Sequence, residues 1–587
     1  MRLIIDVCKK FNKILSKHQK IRIAELIIIM LVGGLLETVS VTVILPFMQV
    51  VLNPSQVMEK PFVKVACRFL GIESDRTFLV FLALLIAAMY IFKNLFLILE
   101  YNVQYRFVYN NKFALQQRLL HTIINRPYQY FLKATSGEIM RLVHGDVEAA
   151  FDVLVNLLNL FTELIVSFML ITTILIVSPV ITLCIAGVLF ILVAAIYLFV
   201  RPRQTEAGKT AQRAETGKNK WLLQSVQGIK EIKVNSKEKF FEKQYAHFGL
   251  LANVSRRKSQ ILTMMPRYFI EAVSMASMFI AVAVFLYFGA DFEVIVPTLT
   301  VVAMAAIRIL PSTNRISYTM SNISFQMTYF NTFMDNINDI DGKGGRLTTE
   351  GETKIAGEHV VMPHMKEQIE FKNIEFAYSA DSDAVLKKAN MTIRKGESVG
   401  IIGESGAGKT TAVDIILGLL VPQSGDILID GVDIRSDMHG WLSQVGYIPQ
   451  MIFMMDGSIR ENILFGEEET QDSDDKVWDA LREASLDEFV HSLPKGLDTR
   501  IGERGVRLSG GQRQRIGIAR ALYRNPEILI FDEATSALDN DTEASIMESI
   551  NNLYGQKTMI IIAHRLTTIE NCDHVFRVEN KQIVRDR

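Results

Sequence analysis

The sequence predicts an all-α transmembrane domain of six helices, fused to an α/β domain. Two observations carry this prediction. The first half of the 587-residue chain contains six long apolar runs, and the second half has alternating strand patterns and glycine-rich turns in an ordinary soluble composition. A chain of this length also exceeds what one hydrophobic core supports, so at least two domains are expected.

Composition narrows the class of protein. Hydrophobic residues make up 49% of the chain and the mean hydropathy is +0.22, which is high for a soluble protein. The 63 basic and 63 acidic residues cancel, so the net charge gives no sign of nucleic-acid binding. Four cysteines lie far apart without a CxxC pair, which argues against a disulfide framework or a zinc site.

Six runs are long enough to span a bilayer, which takes about 20 apolar residues. They cover residues 23–51, 77–100, 152–178, 180–200, 264–289 and 293–316. The basic segment 1–22 suits an amphipathic helix on the membrane surface, and the apolar run after it is too long for a cleaved signal. The third and fourth runs meet at Val177-Ser178-Pro179, which leaves no room for a soluble loop.

The connectors predict the orientation in the membrane. Connectors 101–150 and 201–260 are long and basic, whereas the connector 289–293 is short and acidic. Basic connectors stay in the cytoplasm, so both termini and the second domain are predicted there. Residues 52–75 are then outside, where 59–70 suit either a short helix in the outer interface or packing on the spans.

Both long connectors contain a break. Arg126-Pro127 interrupts the first and Gln227-Gly228 the second, so we predict short elements there that contact the cytoplasmic domain. The composition changes near residue 335. We therefore predict a transmembrane domain at 1–335, a linker at 336–368 and a second domain at 369–587.

The second domain contains a phosphate-binding loop. Strand Ser398–Ile402 runs into a GxxxxGK[ST] motif, and an apolar helix follows. Glycines there let backbone N–H groups surround phosphates at the helix N-terminus. Lys409 is predicted to bind the β- and γ-phosphates of ATP, and Thr410 to bind Mg²⁺. The loop residues predicted to contact the nucleotide are Gly403, Ser405, Gly406, Gly408, Lys409, Thr410 and Thr411.

Two acids follow the apolar strand Ile528–Phe531. Asp532 is predicted to hold Mg²⁺ through its water shell, and Glu533 to polarise the attacking water. Since phosphoryl transfer depends mostly on positioning and charge stabilisation, these groups supply the chemistry.

Further polar motifs lie around this strand. A second glycine-rich turn, Leu508–Gln512, precedes a helix predicted at Arg513–Arg520. Gln450 follows a strand pattern, Asp539 ends Ser536-Ala537-Leu538-Asp539, and His564 follows strand Met559–Ala563. A single histidine in such a place is usually structural, but the order of all these motifs favours a functional role.

The motifs resemble the ATP-binding cassette (ABC) family: Walker A, Q-loop, LSGGQ, Walker B with its glutamate, D-loop and H-loop. The resemblance covers the whole chain as an exporter-type half-transporter, and implies a P-loop NTPase cassette with ATP and Mg²⁺ as cofactors. It implies that Tyr378 stacks on adenine, that Gln450 links Mg²⁺ to the membrane domain and that His564 contacts the γ-phosphate. The signature and D-loop residues implied to bind nucleotide are Ser509, Gly510, Gly511, Gln512 and Asp539.

The same resemblance implies an assembly. In this family Ser509 and Gly511 would act on ATP held by a partner chain. One chain carries one membrane domain and one cassette, so the predicted assembly is a homodimer with two equivalent ATP sites.

Ionisable residues within the predicted spans are candidates for substrate contacts, because each is costly in hydrocarbon. They are Glu37, Lys93, Glu163, Arg267, Glu271, Arg308 and Arg315. Glu37 and Glu271 suit bonds between helices equally well, and Arg315 suits snorkelling to an interface. The cations Lys93, Arg267, Arg308 and Arg315 suit an anionic, phosphate-bearing substrate.

The fifth and sixth spans resemble bacterial lipid-linked-oligosaccharide flippases of the PglK type, through Pro266-Arg267-Tyr268-x-x-Glu271 and Arg308-x-x-Pro311-Ser312-x-Asn314-Arg315. This implies a polyprenyl-diphosphate-linked glycan as substrate, contact with membrane lipid through 59–70, and a bacterial inner-membrane location. Lys93 stands where that group has arginine, which keeps the charge but loses the bidentate fork.

Other functions stay open at this point. A multidrug, lipid A-like or peptide exporter fits the same motifs. An ABC-type ATPase that works on nucleic acid or gates a channel is a different class. Six spans argue against a nucleic-acid partner, and Glu533 argues against a channel with an inactive site.

Overall fold

The computed structural model describes residues 2–43, 47, 50–51, 74–177, 179–287, 292–342, 362–379, 382–533, 547, 550–563 and 566–587. The chain divides into two compact units. The first comprises Met1–Arg126 and Lys133–Glu352, and the second Pro127–Leu132 and Thr353–Arg587. The external segment 59–70 lies outside the described residues.

The first unit is helical throughout its described part. The helices before residue 343 are α1 (Arg2–Ile14), α2 (Lys17–Thr42), α3 (Asp75–Ile124), α4 (Tyr128–Phe131), α5 (Ser136–Met140), α6 (Val147–Val177), α7 (Pro179–Gln227), α8 (Ile229–Val234), α9 (Glu238–Tyr287) and α10 (Phe292–Gly342), with a π-helical turn at Arg141–Asp146. Of these, α4 belongs to the second unit.

Six long helices overlap the six predicted spans. The second, fourth and sixth spans lie within α3, α7 and α10, and the described parts of the first, third and fifth overlap α2, α6 and α9. Within the described residues, three helical segments are long and apolar enough to cross a membrane: Lys17–Ser40, Asp75–Ile124 and Ser136–Thr172. They overlap the first three predicted spans. The predicted breaks are confirmed, since α3 ends at Ile124 and α7 at Gln227.

The last helix is longer than predicted. Residues 336–342, assigned to the linker from their polar composition, continue α10. Met334 and Ile337 are buried there, so tertiary packing holds this turn in the helix.

Helix α1 packs against α10 of the same unit. Its Val7 and Phe11 are buried, the Phe11 ring stacks on Phe330 of α10 at 4.9 Å, and Lys10 Nζ donates to Asn331 Oδ1 at 2.8 Å. Packing on α10 therefore accounts for the apolar face of α1 around Phe11, and the position on the membrane surface stays a prediction.

The second unit contains two sheets. Its strands are β1 (Gln368–Phe376), β2 (Leu386–Arg394), β3 (Ser398–Gly403), β4 (Ser424–Ile429), β5 (Val432–Asp433), β6 (Val445–Ile448), β7 (Ile528–Asp532), β8 (Thr558–Ile562), β9 (His574–Glu579) and β10 (Gln582–Arg585). An antiparallel sheet has the order β2-β1-β4-β5, and a second has the order β10-β9-β3-β8-β7-β6. In the second sheet β9, β3, β8, β7 and β6 run parallel, and β10 is antiparallel to β9.

Helices cover both faces of the parallel strands. They are α11 (Lys409–Ile416), α12 (Met438–Ser443), α13 (Ile459–Leu464), α14 (Ser473–Glu483), α15 (Asp487–Ser492) and α16 (Gly510–Leu522). One apolar cluster joins α11 and the antiparallel sheet to Ile528 and Ile530 of β7. The other cluster joins four helices, α13, α14, α15 and α16, to Leu529 and Phe531 of β7. Because successive residues of a strand point to opposite faces, α11 and α16 lie on opposite sides of the sheet.

We expect Phe11→Ala to lower the free energy of unfolding by about 3–5 kcal/mol, because it removes a buried ring and leaves a cavity. Thermal unfolding of the purified protein in detergent measures the change. The matched control is Ile5→Ala on the exposed side of α1, where the side chain is 49% exposed and a change within about 0.5 kcal/mol is expected. Equal effects of the two substitutions would contradict the packing of α1 on α10.

Candidate ATP site

The phosphate-binding loop connects β3 to α11 as predicted. Its residues Gly403 and Gly408 have φ angles of 152° and 107°, in the region that favours glycine. Both also leave no room for a side chain. A Cβ would lie 2.6 Å from Val578 O at Gly403 and 2.8 Å from Val385 Cγ1 at Gly408. The loop needs glycine at these two positions for both reasons.

The ammonium group of Lys409 is held inside this loop. The residue is 5% exposed, and Nζ donates to the carbonyl oxygens of Gly403 at 2.9 Å and Glu404 at 3.1 Å. These carbonyls compensate the buried charge. The positive charge therefore lies at the N-terminus of α11, where it can neutralise phosphate oxygens.

The parallel sheet brings the acids to the same edge. β8 pairs with both β3 and β7, so Gly403 and Asp532 stand at the carboxyl ends of strands that are one strand apart. Asp532 is 5% exposed, and burial, followed by the nearby Glu533, raises its pKa. Tyr447 OH donates to Asp532 Oδ2 at 3.4 Å.

These residues fit a magnesium ion. Within the described residues, the buried Oδ1 of Asp532 has no hydrogen-bond partner. The Thr410 hydroxyl and the Lys409 charge stabilise the ionised form of this carboxylate. Carboxylate and hydroxyl oxygens are hard ligands of the kind Mg²⁺ prefers, and a cation beside Asp532 would satisfy the unpartnered oxygen.

Glu533 and Gln450 lie together. Gln450 Nε2 donates to Glu533 Oε2 at 2.6 Å, although 83 residues separate them in sequence. Glu533 has a φ of 49°, so the chain turns sharply away from β7 at this residue. The geometry joins the predicted general base to the predicted Q-loop residue.

Tyr378 lies beside the loop. Its hydroxyl is 3.0 Å from Thr411 Oγ1, and its ring meets Phe376 edge-to-face at 5.1 Å. The tyrosine is 48% exposed, so one side of the ring is open to a flat ligand. This position fits the predicted stacking on adenine.

The signature turn caps α16. Ser509 Oγ accepts from Gln512 N at 3.2 Å, and Gln512 Oε1 accepts from Ser509 N at 2.8 Å. This capping box makes α16 start at Gly510, three residues before the predicted Arg513. The N–H groups of Gly510 and Gly511 therefore belong to a helix N-terminus, which favours anions. Asp539 and His564 lie outside the described residues.

The predicted substrate cations have different surroundings. Lys93 Nζ lies 5.2 Å from the centre of the Tyr90 ring, and exposed Arg267 lies 6.0 Å from the ring of Tyr268. The side chain of Arg308 is outside the described residues. Arg315, whose side chain is 48% exposed, has two acidic partners. It pairs with Glu163 at 3.0 Å and with Glu37 at 3.8 Å.

Two residues near the ATP site were not predicted. Burial, followed by the charge of Asp532, raises the pKa of Asp414 to about 6. Tyr128 of α4 has its pKa raised by burial, then by Asp414 and Tyr378, so α4 lies beside α11 within the second unit. The one signal for Asp414 is a lone carboxyl in the apolar stretch 412–417.

Two family models match the chain. One is described as "ABC transporter" and matches residues 386–536, and the other as "ABC transporter transmembrane region" and matches residues 31–300. The chain is an ABC transporter. The two models match the parts of the chain that the sequence predicts to be a transmembrane domain and a cassette.

Curated relatives match this transporter over part of its length. An uncharacterized ABC transporter ATP-binding protein of Bacillus subtilis, YwjA, is 41% identical over 238 residues, which are 40% of this chain and 41% of that protein. The alpha-hemolysin translocation ATP-binding protein HlyB of Escherichia coli O157:H7 is 41% identical over 248 residues, 42% of this chain and 35% of that protein. The chain thus spans about two fifths or less of the length of these relatives.

A solved structure matches nearly the whole chain. It is a bacterial Atm1-family ABC exporter with ATP bound, with a TM-score of 0.73 and 22% sequence identity. The match covers 96% of this chain and 94% of the other. The transporter therefore has the fold of this exporter.

We expect Asp414→Asn to remove a pH dependence of stability. The pKa of Asp414 is raised from 3.8 to about 6, so the protonated form favours the native state. The stability it contributes is present below 3.8 and is lost as pH rises through about 6. The wild type should lose stability relative to the Asn variant over this window, as thermal unfolding at a series of pH values would show.

Asp430→Asn is the control of opposite sign. Burial raises the pKa of Asp430, but hydrogen bonds from the N–H groups of Lys366, Gln368 and Glu367 outweigh it and hold the pKa below its ordinary value. This variant should lose stability relative to the wild type at neutral pH and less in acid. An Asp414 variant whose stability difference is constant with pH would contradict the assignment.

Proposed function

We propose that this transporter is an ATP-driven exporter of the bacterial inner membrane, with its cassette and both termini in the cytoplasm. The observation that carries the proposal is the hydrogen bond between Gln450 and Glu533 beside the buried Lys409 and Asp532. The glutamine and the acid pair thus lie at the same sheet edge as the phosphate-binding loop. That combination suits hydrolysis of ATP, and the exporter fold suits its use for transport.

Each residue has a separate role in this proposal. Lys409 neutralises the β- and γ-phosphates, and Glu533 polarises the water that attacks the γ-phosphate. Gln450 holds the Glu533 carboxylate at 2.6 Å, which fixes the direction in which it accepts a proton. Bound at Thr410 and Asp532, Mg²⁺ would neutralise charge that develops on the phosphates.

A homodimer supplies the rest of the site. The helix after the phosphate loop, α11, and the signature helix, α16, lie on opposite faces of the same sheet. A rigid sheet between them supports an arrangement in which Ser509, Gly510 and Gly511 contact ATP held by Lys409 of a second copy. Asp539 and His564 complete the predicted contacts.

Mixed dimers test this arrangement. We expect Lys409→Ala and Ser509→Ala each to abolish ATP hydrolysis alone. When the two variants are co-expressed with different tags and purified through both tags, one of the two sites regains an intact loop and an intact signature turn. ATP hydrolysis should then return to a substantial fraction of the wild-type rate.

A site built within one chain predicts a different result, since every copy in the mixture carries one defect. No recovery in the doubly tagged dimer, with dimer formation verified by size, would contradict the shared site. Co-expression of two differently tagged Lys409→Ala chains is the matched control, in which no site can be restored.

For the substrate, we propose an anionic lipid-linked compound, with a polyprenyl-diphosphate-linked oligosaccharide as the specific candidate. Two features support this proposal: the resemblance of the fifth and sixth spans to PglK-type flippases, and the cations Lys93, Arg267 and Arg308. Arg315 is set apart, because Glu163 and Glu37 already compensate its charge. A guanidinium and an ammonium in one cavity would bind a diphosphate through charge-assisted hydrogen bonds.

A polypeptide is the second candidate. HlyB and the toxin RTX-I translocation ATP-binding protein of Actinobacillus pleuropneumoniae, 43% identical over 226 residues, are both named for toxin translocation. These matches cover about two fifths of this chain, so they favour a shared cassette more than a shared cargo.

Reconstitution in proteoliposomes separates the two candidates. We expect ATP-dependent transfer of a fluorescent polyprenyl-diphosphate glycan between leaflets, with Lys93→Ala and Arg267→Ala reducing it at least about tenfold, because each removes a charged contact. Basal ATP hydrolysis should persist in both. Glu533→Gln should bind ATP without turnover and should transfer nothing.

Arg203→Ala is the matched control, since Arg203 is a cation on α7 whose guanidinium stacks on Phe199 at 3.6 Å. It should transfer the glycan at the wild-type rate. Transfer that is unaffected by Lys93 and Arg267 would remove these residues from the substrate site. ATP hydrolysis stimulated by an unfolded secreted polypeptide, with no lipid transfer, would favour the second candidate.

A further inference from the structure

A cluster of charged groups lies among four helices of the first unit. Arg315 of α10 pairs with Glu163 of α6 and Glu37 of α2, and Glu100 of α3 lies beside Glu37. Two carboxylates thus pair with one guanidinium, and a third carboxyl group lies beside one of the two. We call these four residues the carboxyl cluster. If all four were ionised, two negative charges would remain uncompensated inside the helical bundle.

Glu100 is the member of the cluster with the least compensation. It is 1% exposed, and its Oε2 has no hydrogen-bond partner among the residues that the structure describes. The guanidinium of Arg315 is engaged by the other two carboxylates. A buried carboxylate without a donor or a cation is costly in a low-dielectric interior, and such groups take up a proton instead.

The surroundings of Glu100 contain acceptors in need of a donor. Gln104, one turn later on α3, is fully buried; its Nε2 donates to Asn159 Oδ1 at 2.9 Å, while its own Oε1 has no partner in the described part of the chain. Glu163 Oε2 also has no hydrogen-bond partner among the described residues. A proton on Glu100 would turn its carboxyl group into a donor one helical turn from the unpartnered Gln104 Oε1.

Close packing favours a proton over a larger cation. Glu100 lies against Gly33 of α2, where a Cβ would overlap Glu100 Oε2. Gly33 is itself buried, one helical turn before Glu37. The carboxyl group therefore sits directly on the backbone of α2, and this contact leaves no space on that side for a metal ion or an amine.

We propose that Glu100 is a proton-binding site of this transporter and carries its proton at neutral pH when α2 and α3 are packed together. Glu37 of α2 faces it. Tyr101, the next residue on α3, lies near Glu100 and Glu37 and also near Glu163 of α6 and Arg315 of α10. Loss of the proton places a charged carboxylate against Gly33. Ionisation then favours separation of α2 from α3, which admits water to the charge.

Infrared spectroscopy of the purified protein in lipid nanodiscs tests the proposal directly. At neutral pH, the wild type should show the carbonyl band of a protonated carboxylic acid, and Glu100→Gln should lack it. Glu271→Gln, which changes an exposed glutamate on α9, is the matched control and should leave the band unchanged. If the Gln variant fails to fold, Glu100→Asp replaces it. This variant keeps a protonatable group, so it should show the carbonyl band at an altered frequency.

Thermal unfolding gives a second readout. Because the native state holds a proton that the unfolded chain releases, the wild type should lose stability as pH rises from about 5 to about 8. The Glu100→Gln variant should lose less over this range. An unchanged band in Glu100→Gln overturns the proposal. A wild type without the band also overturns it, and stabilisation by Na⁺ or by an organic amine would then identify a cation as the occupant.

Discussion

The parallel pairing of β8 with both β3 and β7 is the constraint on which the ATP site depends. It places the end of β3, where the phosphate loop begins, one strand away from the end of β7, where Asp532 and Glu533 stand. The side chains of Lys409 and Asp532 both depend on neighbouring groups. The loop carbonyls compensate the buried ammonium of Lys409, and Asp532 Oδ1, which has no partner among the described residues, could accept a cation. The sheet supplies the rigid frame that keeps both within reach of one triphosphate.

The same sheet also separates two parts of the machinery. Alternate residues of β7 point to α11 on one face and to α16 on the other, so the loop helix and the signature helix cannot share a face. This geometry supports the proposed homodimer, in which a second copy supplies the signature turn. Within the second unit, α4 lies beside α11 through Tyr128 and Asp414. A segment bounded by membrane-unit residues at 126 and 133 therefore belongs to the cassette.

In the first unit, charged side chains inside the predicted spans pair with one another. From the sequence, Arg315 and Glu163 were isolated costs in hydrocarbon and therefore candidates for cargo contacts. In the structure they compensate each other at 3.0 Å, whereas Glu100 Oε2, at the end of a predicted span, has no hydrogen-bond partner in the described part of the chain. Periodicity along one helix could not predict this pairing, since the two partners are 152 residues apart in sequence. The same limit applies to α1, whose apolar face packs on Phe330.

The sequence by itself determined the two-part architecture, the long helices and the order of the nucleotide motifs. These follow from local properties: apolar length, proline and glycine breaks, and a strand–loop–helix pattern that only phosphate binding requires. Tertiary structure alone decided that Gln450 holds Glu533, that Asp414 lies beside Asp532 and that Arg315 is neutralised by two carboxylates. The physical reason is that these energies depend on distances between side chains on different elements, and hydrophobic periodicity does not encode which polar groups meet.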